Sequence, residues 1–275
     1  MSYVNLNGKI APGKEISLPY DNSAFRYGYG LFETMLVEQD IIELWPYHSE
    51  RLMEGLRQLK FNIPALFTVD QLHAGIMRTV KKNRLEKLCR VRLQVYAGCG
   101  GMFDNDQKPG YIIECFPLEQ HVTELNEPGL VTDIAKSLFK STDSLSNLKT
   151  SNALVYAVAA QQAKANSWND ALILNTAENI IESTIANIFW IQEREIYTPP
   201  LGEGCIAGVM RRHLLAVLPQ CGYTVHEVPL ALPTLRAADA VFLTNAIRKI
   251  KWIRTVGDKE YSMHIIPAIR KSIFK

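Results

Sequence analysis

The run Glu182-Ser183-Thr184-Ile185-Ala186-Asn187-Ile188-Phe189-Trp190-Ile191 opens on small polar residues and continues as an apolar stretch. A short apolar run bounded by turn residues predicts a buried strand, here over residues 185–191. Turn chemistry separates it from strands predicted over 171–175 before it and 195–198 after it. Gly202-Glu203-Gly204-Cys205-Ile206-Ala207-Gly208-Val209-Met210-Arg211 then leads into a predicted helix over 208–218, with Pro219 near its end. Strands over 225–229 and 240–244 follow, with a short helix over 234–239 between them. Upstream lie a strand over 131–135, a polar stretch to Asn147, and a helix over about 151–166.

The N-terminal part has a different rhythm. Residues 3–10 read as a strand followed by a turn at Pro12-Gly13. Residues 32–38 and 41–45 read as two strands joined at Gln39-Asp40. Leu52, Leu56 and Leu59 fall at helical spacing and predict a helix over 47–61. Thr68 followed by Gln71 has the form of a capping box, which starts a second helix running to about Lys82. Strands over 91–96 and 111–116 bracket a glycine-rich loop over 98–101. Residues 118–129 are polar, contain Pro128-Gly129, and read as a linker. The expected class is α+β, with an N-terminal α/β lobe over 1–117 and a C-terminal lobe over 130–275.

Composition narrows the function. The chain has 275 residues, 47% apolar and 21% charged, which is the make-up of a globular protein rather than of a disordered one. Its net charge of +2 supplies no global field for nucleic acid or an anionic membrane. The start, Met1-Ser2-Tyr3-Val4-Asn5-Leu6-Asn7-Gly8, shows no basic segment followed by an apolar one, so no signal peptide is read there. No apolar run is long enough to span a bilayer as a helix. The five cysteines are odd in number and form no CxxC pair, so neither a disulfide framework nor a zinc site is indicated. The six histidines have no metal spacing and read as structural or surface. A cytoplasmic location is expected.

Several polar residues carry chemistry if they share a site. Lys149 stands in Asn147-Leu148-Lys149-Thr150-Ser151-Asn152, between a polar segment and a helix. It is either a solvated charge or an amine whose pKa is lowered for Schiff-base chemistry. Glu182 at a strand start is either a solvated carboxylate or the partner that keeps a heterocyclic nitrogen protonated. Arg51, in His48-Ser49-Glu50-Arg51-Leu52, is either an exposed helix arginine paired with a carboxylate or a phosphate clamp. The glycines before residue 209 can present helix-start amides to an anion, as loops of this kind often do without a ligand. Thr244-Asn245-Ala246 offers further donors.

The order and separation of these residues are more specific than any one of them. Together with Gly208-Val209-Met210-Arg211 they resemble the class IV, fold type IV pyridoxal-phosphate enzymes, over nearly the whole chain. The group includes branched-chain and D-amino-acid aminotransferases and aminodeoxychorismate lyase. The resemblance implies pyridoxal 5'-phosphate as cofactor, a C-terminal pseudo-barrel lobe, and a homodimer. It implies that Lys149 holds the cofactor as a Schiff base and moves protons, and that Glu182 pairs with the ring nitrogen. Arg51 and the amides of Val209 and Met210 would bind the phosphate, with Thr244, Asn245 or Ala246 on the same side.

Within the group, Tyr29-Gly30-Leu31-Phe32-Glu33-Thr34 and Leu243-Thr244-Asn245-Ala246 resemble the lyase. So does Asn187-Ile188-Phe189-Trp190 running on to Ile196-Tyr197-Thr198-Pro199. The hydroxyl of Thr34 would assist proton transfer. D-amino-acid transaminases have a tyrosine in place of Phe32 and an Arg/His pair in the loop that reads Gly98-Cys99-Gly100-Gly101-Met102-Phe103 here. That loop has neither residue, and it also departs from lyases that carry an arginine there. Phe32 and Arg92 are the expected substrate contacts, with a solvent-facing strand arginine as the other reading of Arg92. The implied reaction converts 4-amino-4-deoxychorismate to 4-aminobenzoate and pyruvate. The rivals are a branched-chain-type aminotransferase using 2-oxoglutarate, and a fold relative that binds the cofactor without turnover.

Overall fold

The computed structural model describes residues 2–103 and 106–274. The chain divides into two compact units, Met1–Val122 with Lys149–Asn152, and Thr123–Leu148 with Ala153–Lys275.

The first unit is built on an antiparallel six-stranded sheet. Its strands are β1 (Tyr3–Leu6), β2 (Lys9–Pro12), β3 (Gly30–Glu38), β4 (Ile41–Ile42), β5 (Leu88–Ala97) and β6 (Pro109–Pro117), in the order β2-β1-β6-β5-β3-β4. What reads as one strand over 3–10 is a hairpin. Leu6 pairs with Lys9, and the turn residues Asn7 and Gly8 have φ of 50° and 93°. Positive φ at both positions matches the strand twist, and Asn-Gly is the sequence that adopts it most readily. Gln39 and Asp40 form a second such turn, with φ of 49° and 62°.

Three helices complete this unit, α1 (Ser23–Tyr27), α2 (Trp45–Gln58) and α3 (Val69–Asn83). The expected second strand over 41–45 stops at Ile42, because Leu44 turns into the left-handed region and α2 begins at Trp45, with Pro46 in its first turn. Thr68 caps α3, its Oγ1 accepting from the Gln71 amide at 3.2 Å. The sheet alternates cleanly. Leu31, Glu33, Met35, Val91, Leu93, Val95 and Ile113 lie on one buried face. Phe32, Thr34, Arg92 and Gln94 share the other, because Phe32 pairs with Gln94 and Thr34 with Arg92. Residues 149–151 run along the free edge at the start of β3, where Phe32 N donates to Lys149 O at 2.9 Å and Ser151 N to Gly30 O at 2.8 Å.

The second unit contains β7 (Leu130–Lys140), α4 (Leu154–Ala165), β8 (Asp170–Asn175), β9 (Ile180–Ser183), β10 (Asn187–Gln192) and β11 (Glu195–Thr198). It continues with α5 (Val209–Val217), β12 (Val225–Glu227), α6 (Leu232–Ala237), β13 (Ala240–Asn245), β14 (Lys249–Val256), β15 (Lys259–Glu260) and α7 (Ile266–Ile273). The path β10-β13-β14-β7-β8-β9 returns to β10 through the pair Asn187–Glu182, closing a six-stranded barrel. Closure removes the sheet edges that would otherwise be open. Around it, β11 and β12 extend from β10, and β15 pairs with β14.

The strand expected over 185–191 begins two residues later, and Ile180–Ser183 forms a separate strand, buried at all four positions. Such a strand has no polar alternation to reveal it. A register shift between β8 and β9 leaves Ile181 as an extra residue. The bulge sets Glu182 opposite Ile173, on the face where Ala159 and Ala163 of α4 pack with Ala135, Ala171 and Ile181. The other face carries Leu172, Ile188, Trp190, Leu230, Val241 and Ile253. Trp190 is fully buried and stacks on Tyr197 at 5.4 Å between ring centroids. Trp190→Ala empties that position and lowers the stability of this unit by about 3–5 kcal/mol, read by urea denaturation.

Candidate active site

In the first unit the chemistry gathers around the start of β3. Phe32 carries two cations over its ring: Arg92 Cζ at 3.9 Å and Lys149 Nζ at 4.3 Å from the centroid. Arg92 is half-buried, with its guanidinium against the Phe32 ring. Its Nη2 donates to Gln94 Oε1 at 2.7 Å, and burial lowers its pKa. Gln94 Nε2 in turn donates to Ser151 Oγ at 2.6 Å, two residues after Lys149. Phe32, Thr34, Arg92 and Lys149 are thus brought to one face of the strand.

Arg51 belongs to the helix-covered face. Its Nε donates to Glu33 Oε1 at 2.8 Å and its Nη2 to Glu33 Oε2 at 2.5 Å, the two-pronged geometry that suits a guanidinium. His48 Nδ1 bonds the same carboxylate at 2.6 Å. The sequence motif His48-Ser49-Glu50-Arg51 thus has a buried acidic partner, Glu33, that its spacing did not reveal. Burial raises the Glu33 pKa, but Arg51 and His48 outweigh it and bring it from 4.5 to about 2. Burial lowers the His48 pKa, with Glu33 opposing, and His48 Nε2 is enclosed without a hydrogen-bond partner. The imidazole is therefore neutral, with Nδ1–H directed at Glu33.

The second unit holds Glu182, only 2% exposed. Its Oε1 accepts from Lys140 Nζ at 2.7 Å and from Tyr156 Oη at 2.7 Å. Its Oε2 accepts from the Ile206 amide at 3.0 Å. That last bond ties Glu182 to the segment before α5, which two asparagines also fix. Asn187 Nδ2 donates to Ile206 O at 2.9 Å, and Asn147 Nδ2 donates to Leu201 O at 2.8 Å and Cys205 O at 2.7 Å. Gly208 is required there, because a Cβ would lie 1.9 Å from Asn187 Oδ1. No side chain caps the first turn of α5, which begins at Val209 and Met210. The first-turn amides of a helix have no acceptor within the helix, and the positive end of the helix dipole lies there.

The segment Thr244-Asn245-Ala246 ends β13. Thr244 Oγ1 donates its proton to Lys249 O at 2.8 Å. Asn245 Oδ1 accepts from the amides of Ile247 and Arg248, at 3.0 and 2.7 Å, and its Nδ2 donates to Ile185 O at 3.2 Å. These side chains brace the loop. Among the described residues no group of three or more His, Cys, Asp and Glu could hold a metal, and no helix is long and apolar enough to cross a membrane.

A profile of the class IV amino-transferases matches residues 30–256, a span that contains both clusters. The chain belongs to that family. Among relatives of this class IV amino-transferase, the aminodeoxychorismate lyase of Vibrio harveyi is 28% identical over 233 residues, 84% of each chain. A putative branched-chain-amino-acid aminotransferase of Methanocaldococcus jannaschii is 26% identical over 249 residues, 90% of this chain and 85% of the relative. The structure of a putative 4-amino-4-deoxychorismate lyase from Legionella pneumophila superposes with a TM-score of 0.85 at 28% identity, covering 95% of both chains. A branched-chain aminotransferase from Thermoproteus uzoniensis superposes at 0.88 and 20% identity, covering 98% of this chain and 94% of that one. This last likeness concerns the fold, which is the fold type IV architecture expected from the sequence.

The Glu33 cluster carries a pH dependence. A carboxyl whose pKa falls on folding stabilises the fold above its unfolded value and loses that contribution as pH drops through the folded one. Stability should therefore decline between about pH 4.5 and about pH 2. Glu33→Gln leaves Arg51 without its buried counter-charge and costs roughly 3–5 kcal/mol at neutral pH. It also flattens that acid limb, as urea denaturation at a series of pH values measures.

Proposed function

We propose that this class IV enzyme is a pyridoxal-phosphate-dependent lyase that converts 4-amino-4-deoxychorismate to 4-aminobenzoate and pyruvate. The observation that carries the proposal is the grouping of Lys149, Phe32, Thr34 and Arg92 on one face of β3. It sets an amine, a hydroxyl-bearing strand position and a cation side by side. Two lyase relatives support the choice, that of Vibrio harveyi and one of Bacillus subtilis, 27% identical over 255 residues.

The residues present fit the cofactor. Glu182 retains acceptor capacity on Oε2, as a ring N–H requires. The uncapped start of α5 offers amides to a phosphate. Arg51, fixed by Glu33, would be the cation for that phosphate, and the backbone of Asn245 and Ala246 would add further donors. When bound, the cofactor supplies an electron sink for the carbon that bears the substrate nitrogen.

Lys149 would hold the cofactor and then act as the base that takes the proton from that carbon. Arg92 would hold a substrate carboxylate, and Phe32 would set the width of the site. Loss of the proton and cleavage of the adjacent carbon–oxygen bond expel the enolpyruvyl group, which leaves as pyruvate once protonated. The ring becomes aromatic, which supplies the driving force. The remaining demand on the protein is orientation and proton handling, and Thr34 would deliver the proton toward the leaving group. The working form would be a homodimer in the cytoplasm.

The branched-chain aminotransferase reading keeps the same residues for a proton shift, and the Methanocaldococcus relative favours it. An assay of pyruvate release from aminodeoxychorismate separates the two. The lyase releases pyruvate without a keto-acid acceptor, whereas rapid amino transfer to 2-oxoglutarate with no pyruvate overturns the assignment. Lys149→Ala abolishes turnover. Thr34→Val lowers kcat by about a hundredfold with KM little changed, the effect of losing one positioned proton donor.

A further inference from the structure

The three hydrogen bonds to Glu182 are unevenly shared. Oε1 takes both side-chain donors, Lys140 Nζ and Tyr156 Oη, each at 2.7 Å. Among the described residues Oε2 takes only the Ile206 amide, at 3.0 Å. Each carboxylate oxygen has two lone pairs, so Oε1 is filled and Oε2 keeps one. At 2% exposure Glu182 has little water to satisfy its oxygens, so protein donors must do so.

Lys140 supplies the missing opposite charge. Its side chain is itself only 11% exposed, and its ammonium lies 5.3 Å from the centre of the Tyr156 ring. Lys140 ends β7 after a register shift that sets Phe139 opposite Leu174, so an irregularity in the barrel brings it to this seam. Burial, and then Glu182, push the Tyr156 phenol far above its usual range, which keeps it a donor. The same two causes raise Cys205 to about 12, so it stays a neutral thiol. Arg211, the further cation on this side, is engaged by Pro199 O and Glu227. One cation and two neutral groups therefore surround one anion.

We infer that Lys140 is a positioning residue which, with Tyr156, holds Glu182 turned so that Oε2 offers its remaining lone pair to the ring N–H of the cofactor. The inference rests on the reading above that the enzyme binds pyridoxal phosphate.

The test uses full-length enzyme reconstituted with pyridoxal phosphate labelled with 15N in the ring. The readouts are the 15N resonance against pH and the cofactor dissociation constant. Wild type keeps the ring nitrogen protonated through neutral pH. Lys140→Met moves the resonance toward the unprotonated position and raises the dissociation constant about ten- to hundredfold, the range for one hydrogen bond to a charged group. Lys140→Arg restores both readings. Tyr156→Phe shifts them the same way by less, and it carries the test if the methionine variant does not fold. A Lys140→Met protein with wild-type resonance and affinity, even if it melts lower, overturns the inference and leaves the cofactor assignment standing. Wild-type protein that takes up no pyridoxal phosphate overturns both.

Discussion

A carboxylate enclosed at the seam of a closed barrel is stable only if donors reach it from several directions. Glu182 is such a group, and much of the second unit's architecture serves it. The pair between Asn187 and Glu182 closes the barrel, so the residue that completes the sheet is also the one with a charge to accommodate. Lys140 comes from β7, Tyr156 from α4 and the Ile206 amide from the segment before α5. Each is held by a different part of the chain. Losing one donor would strand a buried anion, which costs more than the bond itself contributes.

The first unit solves a related problem in another way. Glu33 faces the helices, where a two-pronged arginine and a histidine satisfy it on three sides. One residue away on either side, Phe32 and Thr34 face the opposite surface of the same sheet. The pleat of a single strand therefore sets the Glu33 ion-pair network on one face and the side chains of Phe32 and Thr34 on the other. Their order along the strand, Phe32-Glu33-Thr34, is an alternation of faces that follows from the two-residue period of β structure.

Much of this was readable from the chain alone. Lys149, Glu182, Arg51 and the glycine-led start of α5 stand in an order that chance seldom assembles, and the family match covers all of them. The capping of α3 by Thr68 is local, and local chemistry is legible. The hairpin at Asn7-Gly8 carried its signal too, but strands of four residues are too short for periodicity to separate. Ile180–Ser183, Lys249–Val256 and the helix Ile266–Ile273 were not anticipated. The first is buried throughout, and a strand with no exposed positions has no polar alternation to reveal it.

The sequence by itself determined the family, because the order of Arg51, Lys149, Glu182 and the Gly208 segment resembles it as a set, and the resemblance implied the cofactor. The partners of those groups were decided only in three dimensions. Glu33 meets Arg51 across 18 positions and Lys140 meets Glu182 across 42. Strand register and its irregularities select such encounters, and both depend on how a sheet closes rather than on any neighbouring residue.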